Sequence, residues 1–190
     1  MQTTENPYLQ WYPGALALAR NLLGCHASAE DVLQTSMSKT LGSSTLPLDE
    51  AAQRVWFFKV VRNGCFDHLR DQKKFATDTC IEQAAGFIDA PDMVEATQRQ
   101  QWVRTALQSL PSEQREIIVL RDVNDLSYAD IAHILQLNSG TVMSRLHRAR
   151  MALRAALLEL EQDAENGRTA QNAIAANALS ATSSPGGTHE

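Results

Sequence analysis

No stretch of the 190-residue chain approaches eighteen consecutive apolar residues, so no membrane-crossing helix is expected. The N-terminal segment MQTTENPYLQWYP has neither the basic start nor the apolar core of a signal peptide, which predicts a cytoplasmic chain. Cysteine is scarce: Cys25, Cys65 and Cys80 are an odd number without C-x-x-C spacing, which argues against a disulfide framework and reads as buried or idle thiols. Cys25 beside His26, Cys65 near His68, and the separate His133 and His147 lack the paired spacing that zinc requires, so no metal is expected. A phosphate-cradling glycine loop, a G-x-S-x-G elbow and an H-E-x-x-H helix are all missing. An enzyme reading therefore has no residues to rest on, and neither a cofactor nor a small-molecule substrate is expected.

What the chain does have is a hydrophobic share of 44%, enough to build a real core in one ordinary domain or two small ones. Its net charge of −5 is unevenly spread. Arg54 to Lys74 carries six basic residues against two acidic ones, and Thr141 to Arg154 carries four arginines and no acid; these are two islands of +4 in a remainder of −13. Such a division confines nucleic-acid contact to two patches and leaves acidic surface for a basic protein partner.

The most informative stretch is Leu126 to Leu153, LSYADIAHILQLNSGTVMSRLHRARMAL, which reads as two helices joined by a short turn. Ser127 can cap the first with Asp130 reaching back, while Leu126 and Ile131 occupy the two staple positions. Gln136 and Asn138 break the apolar pattern, and Ser139, Gly140 and Thr141 open the next helix. In that helix Val142, Leu146, Ala149 and Leu153 make one apolar stripe. Thr141, Met143, Ser144, Arg145, His147, Arg148 and Arg150 are left on the other surface, which suits a major groove where arginine pairs with guanine and reaches phosphates.

Upstream, Tyr8 to Gly24 has helical spacing, with an interruption expected near Pro13 and a stop at Gly24. Ser28 can cap a second helix whose acidic first turn, Glu30 and Asp31, opposes the positive helix end. Gly42 to Glu50 reads as a loop. Val55 to Lys74, VWFFKVVRNGCFDHLRDQKK, joins an aromatic and apolar helix face to a basic end, the combination that melted single-stranded DNA needs. Trp56, Phe57 and Phe58 are successive and cannot all face DNA; most belong to the core, and Asn63 is the better base reader. Phe75 to Ala96 has acids and no base, and reads as a linker. From Thr97 a helix is expected through Trp102, Ala106, Leu107 and Leu110, ended or restarted at Pro111, with a second through Ile117, Ile118 and Leu120. Past Glu159 the apolar periodicity is lost, so a disordered tail is expected.

The order Leu110-Pro111-Ser112-Glu113-Gln114-Arg115-Glu116, then LRDVNDLSYADIA, then GTV-x-SRLHRAR resembles region 4 of the bacterial sigma-70 family, in its small extracytoplasmic-function (ECF) branch. Ala29-Glu30-Asp31-Val32-Leu33-Gln34 resembles region 2.2 of that family, and Val55 to Lys74 resembles regions 2.3 to 2.4, with Trp56, Arg62, Asn63, Asp67, Leu69 and Arg70 in family positions. Thr35 to Leu41 departs from the bulkier apolar and aromatic run that relatives carry.

The resemblance implies an all-α protein: a region 2 helical bundle at 1–76, an acidic linker at 77–96, a region 4 helix-turn-helix at 97–160 and a disordered tail at 161–190. It implies a sigma factor that binds core RNA polymerase, β′ and β subunits, through Asp31, Val32 and Gln34. The minus-ten element would meet Trp56, Arg62, Asn63, Arg70, Lys73 and Lys74, and the minus-thirty-five element Thr141, Met143, Ser144, Arg145, His147 and Arg148. An anti-sigma partner, often membrane-anchored, is also implied. The rival readings are a free-standing helix-turn-helix regulator, which ordinarily needs a dimerisation element, and a DNA-processing enzyme, which needs a catalytic cluster in the first half.

Overall fold

The computed structural model describes residues 7–43, 46–75 and 98–181, and among these there is no strand. Helix α1 spans Pro7–Leu23, α2 His26–Leu41, and α3 Glu50–Phe75. The second half contains α4 (Gln98–Ser109), α5 (Ser112–Ile118), a π-helical turn (Val119–Val123), α6 (Tyr128–Leu135) and α7 (Ser139–Ala181). The acidic linker expected at 77–96 lies outside the described residues.

Helices α1, α2 and α3 pack on one another around Leu18, Leu33, Phe57, Phe58 and Val61, all fully buried. Tyr8, Trp11 and Phe57 add an aromatic cluster, with ring centroids 5.3 to 6.2 Å apart. Burying each large apolar side chain stabilises the bundle by roughly 1.5–3 kcal/mol. The unusually polar run in α2 packs without orphaned groups. Ser36 and Thr40 are buried, and their hydroxyls donate to Val32 O and Ser36 O one turn back, each at 2.7 Å.

Three expectations are corrected. Helix α1 runs through Pro13 without a break. The carbonyl that loses its donor to the proline ring belongs to Leu9, whose side chain is 59% exposed, so water can serve it. Helix α2 begins before Ser28: its N-cap is Cys25, with no side-chain cap, and its first turn holds no acid. Glu30 instead pairs with His26 at 3.2 Å, one turn back on the same face. The third correction concerns the tail, because residues 161–181 continue α7. Alanine-rich sequence without proline propagates a helix already nucleated by a packed first half, even through Asn166 and Gly167; residues 182–190 lie outside the described residues.

Other boundaries follow the sequence. Gly24 adopts φ +73° and donates to Arg20 O at 2.9 Å, closing α1. Ser127 and Asp130 form the full capping box of α6: Asp130 N–H donates to Ser127 Oγ at 3.1 Å and Ser127 N–H to Asp130 Oδ2 at 3.2 Å. Gln136 takes φ 56° at the C-cap of α6 and sets the turn into α7. Leu126, Ile131, Ile134, Val142, Leu146 and Ala149 are all buried, so the stripe of α7 lies on α6 and α5 as its spacing predicts. At the α4–α5 corner, Arg115 donates to Gln108 O at 2.8 Å and Leu110 O at 3.0 Å, which satisfies carbonyls that Pro111 cannot.

The two halves form one continuous core: α1 packs on α5 and the π turn, and α3 packs on α6.

Candidate nucleic-acid interface

The apolar stripe of α7 is turned inward, so the opposite face is free. Met143 is 58% exposed, Ser144, His147 and Arg148 are exposed, and Thr141 and Arg145 are half-buried. Arg145 Nη1 stands 3.7 Å from Glu113 Oε2, and Arg148 Nε donates to Ser144 O at 3.4 Å, a weak bond that leaves most of the guanidinium to solvent. Arg150 differs from its neighbours. It forms a two-pronged pair with Asp122 of the π turn, with Nε donating to Oδ2 at 3.1 Å and Nη2 to Oδ1. The Asp122 hydrogen bonds raise the Arg150 pKa above the ordinary arginine range. Arg150 is thereby a structural tie between α7 and the π turn.

The second basic patch runs along α3. Phe57 and Phe58 are buried in the core and Trp56 is half-buried, which leaves Asn63 as the exposed polar group near the middle of the helix. A groove of about 460 Å³ is lined by Arg62, Asn63, Phe66, Asp67 and Arg70. Arg70 pairs with Asp67 at 3.2 Å and Lys74 with Asp71 at 3.4 Å, both exposed and easily exchanged for phosphate; Lys73 is exposed. Arg62 is otherwise placed. Its Nε donates to Glu116 Oε1 at 2.5 Å and its guanidinium lies 4.7 Å from the Phe66 ring centroid.

On α2, Asp31 and Gln34 are exposed, so both can meet a protein partner. Val32 is buried at 8% exposure against α3, so it holds the helix in place and cannot dock.

Residues that sequence reasoning missed lie between the halves. Glu116 is 3% exposed; burial pushes its carboxyl pKa up, while Arg62 pulls it down by charge and hydrogen bond. Asn124 is 5% exposed, and its Nδ2 donates to Val119 O at 3.0 Å and to Gly14 O of α1 at 3.3 Å; Arg54 of α3 donates to Asn124 O. Nothing in the helical periodicity marks either residue. Beyond the places of both residues in the region 4 motif, the signal is Glu116's position directly before Ile117, Ile118, Val119 and Leu120, all buried. The Cys65 thiol is buried, and that burial with the charge of Glu116 raises its pKa to about 12, which makes it unreactive. Among the described residues no group of three or more His, Cys, Asp or Glu could hold a metal, and no helix is long and apolar enough to cross a membrane.

A helix-turn-helix with a basic outer face and a basic, partly aromatic helix now stand in one molecule, and two family profiles fall on them. That for Sigma-70 region 2 matches residues 8–75, and that for Sigma-70, region 4 matches residues 100–153. RNA polymerase sigma-H factor of Pseudomonas aeruginosa is 32% identical over 152 residues, covering 72% of this chain and 76% of that protein. The chain belongs to the sigma-70 family. ECF RNA polymerase sigma factor SigM of Mycobacterium tuberculosis is 36% identical over 137 residues, 72% of this chain and 67% of its own, and places it in the ECF branch.

Among solved structures, sigma factor RpoE in complex with the anti-sigma factor NepR from Bartonella quintana superposes with a TM-score of 0.61 at 29% identity, covering 78% of this chain and 92% of that one. CnrH in complex with the cytosolic domain of CnrY shares the fold, with a TM-score of 0.52 at 21% identity over 78% of this chain and 83% of that one. As an ECF sigma factor the protein binds core RNA polymerase and directs promoter-specific initiation. The free-standing regulator is not favoured.

Proposed function

We propose that this ECF sigma factor divides its task among three surfaces. Asp31 and Gln34 dock on core polymerase, a role assigned from the region 2.2 resemblance and supported by their exposure on α2. Thr141, Met143, Ser144, Arg145, His147 and Arg148 read the minus-thirty-five element as α7 enters the major groove. The observation that carries this reading is the division of α7 itself, with Val142, Leu146 and Ala149 sealed inward and the arginines presented outward. A bidentate arginine–guanine contact contributes about 1–3 kcal/mol of discrimination.

The opened minus-ten strand is assigned to α3, with Asn63 as base reader and Arg62, Arg70, Lys73 and Lys74 neutralising phosphate. Trp56, half-buried on the same helix, is assigned to stacking, and each stacked base contributes about 1–3 kcal/mol once polymerase holds the duplex open. We assign the units as 1–76 and 97–160, joined by 77–96, with 161–190 beyond both. The protein acts where polymerase and DNA are, in the cytoplasm. An anti-sigma factor holds it inactive, a reading supported by its structural likeness to an RpoE that was solved with one; a membrane anchor on that partner would bring the sigma factor to the membrane face.

Run-off transcription with sigma-free core polymerase and host promoter fragments tests the assignment. Initiation should depend on the protein and be lost in Asp31→Ala/Gln34→Ala, with helicity unchanged. Normal initiation by that variant would remove α2 from the docking surface.

A further inference from the structure

The outward side of α7 begins without charge. From Ser139 to Ser144 the helix carries no acid and no base, and the arginines start at Arg145. Val142 in this stretch is sealed in the core. Thr141 is half-buried, and its carbonyl accepts from Ser144 Oγ at 3.0 Å, which commits the serine proton to the helix's own backbone. That leaves Met143 as the long side chain presented outward, 58% exposed. One turn back on the same face, Gly140 contributes no side chain, and a Cβ there would meet nothing within 4 Å. Met143 therefore flanks an open notch floored by bare backbone.

An exposed methionine is ordinary in itself, and α7 carries a second, Met151, which is 53% exposed. Place separates the two. In a helix-turn-helix the N-terminal residues of the second helix meet base edges; Met143 is the fifth residue of α7, whereas Met151 lies beyond Arg148. A thioether has no proton to donate and accepts only weakly, so it cannot read the edge of guanine or adenine by hydrogen bonding. The apolar group that a major-groove edge offers is the C5-methyl of thymine. An unbranched, polarizable side chain adapts to such a group, and the notch at Gly140 leaves room for it.

We propose that Met143, together with the open backbone at Gly140, makes this sigma factor select a thymine in the minus-thirty-five element through the C5-methyl group. This rests on the assignment of α7 to that element. Arg145 and Arg148 supply charge and hydrogen bonds to guanine and phosphate, and Met143 adds a preference that hydrogen bonding does not supply. Burial of one methyl group sets the size of that preference at about fourfold.

The test uses the holoenzyme on a promoter that it transcribes. Each thymine of the minus-thirty-five element, on either strand, is replaced in turn by 2′-deoxyuridine, which pairs alike and lacks the methyl group. Competition binding then reads the ratio of affinities for the two promoters. At one position the wild type should favour thymine about fourfold, and both Met143→Ala and Met143→Lys should bring the ratio there to one. Met151→Ala should keep the wild-type ratio. Equal affinity for the two bases at every position would overturn the proposal, as would a thymine preference that survives Met143→Ala, or an element with no A·T pair. Arg148→Ala, measured on the promoter with and without the element, separates the two levels of failure. Full element dependence in that variant would overturn the proposal through the assignment of α7. Lost element dependence, with a ratio of one throughout in the wild type, would overturn the methyl contact and leave the assignment standing.

Discussion

Arg148 and Arg150 stand two residues apart on α7, and the structure gives them opposite consequences. Arg148 is exposed and held by one 3.4 Å bond within its own helix, so Arg148→Ala should change stability by no more than about 0.5 kcal/mol. Its loss should nevertheless remove about 1–3 kcal/mol of promoter discrimination, a factor of about 5 to 150 in use of the minus-thirty-five element. Arg150 inverts the pattern. It grips Asp122 with two bonds across 28 residues of sequence, but the pair's side chains are 49% and 36% exposed, so solvent screens it to about 0.2–1 kcal/mol. Arg150→Ala should lower Tm by about 0.4–4 °C, at roughly 2–4 °C per kcal/mol for a chain of this size, and leave element dependence intact. The assay is thermal unfolding of each variant beside run-off transcription from one promoter with and without its minus-thirty-five element. Equal loss of activity by Arg148→Ala on the truncated and the whole promoter would refute its role at the element. Greater damage to element use by Arg150→Ala than by Arg148→Ala would refute the division between them.

Three further outcomes are expected. Ser127→Ala removes the acceptor of the Asp130 N–H and should cost about 1 kcal/mol, seen as faster amide exchange in the first turn of α6; unchanged exchange there would deny the cap its role. Leu146→Ala, at a site 2% exposed, should cost about 2–5 kcal/mol in urea unfolding, and a loss below about 1 kcal/mol would mean that the stripe is not packed as described. Glu116 has a folded pKa above its ordinary value, so the folded chain keeps a proton that the unfolded chain has already released. That group's contribution is therefore full below the ordinary glutamate pKa and lost as pH rises through the raised one. Paired melts from pH 4 to 7 should show a falling component that Glu116→Gln lacks, whereas parallel curves for the two proteins would contradict it. The groups facing Glu116 in this titration are Arg62 and Cys65 of α3 and Glu113 of its own helix.

Legibility in the sequence followed the range of the forces involved. The α6 cap, the turn at Gln136 and the inward stripe of α7 rest on residues three to eleven apart, and the chain spells them out. The same holds for the split between buried Phe57 and Phe58 and exposed Asn63 on α3. Local rules erred where an alternative local solution existed: Pro13 could be tolerated beside solvent, and α2 could start without the cap that Ser28 offered. The family motif at region 2.2 marked Val32 along with Asp31 and Gln34, although packing against α3 buries it. Least legible were Arg62 with Glu116, 54 positions apart, and Gly14 with Asn124, 110 apart. Such pairs have no periodicity, and a single glutamate in a helix looks the same whether it faces water or an arginine.

The shared core also bears on how the protein can be taken apart. Gly14, Arg54 and Arg62 lie in the stretch matching region 2, and Glu116 and Asn124 in that matching region 4. A hybrid that takes one stretch from this chain and the other from a relative inherits half of each contact. An unmatched second half would leave Arg62 beside a site with no counter-charge and Gly14 beneath a side chain of the wrong shape. Promoter preference should therefore travel with α7 alone, grafted between Thr141 and Arg148 onto the resident frame, more faithfully than with an exchange of whole regions.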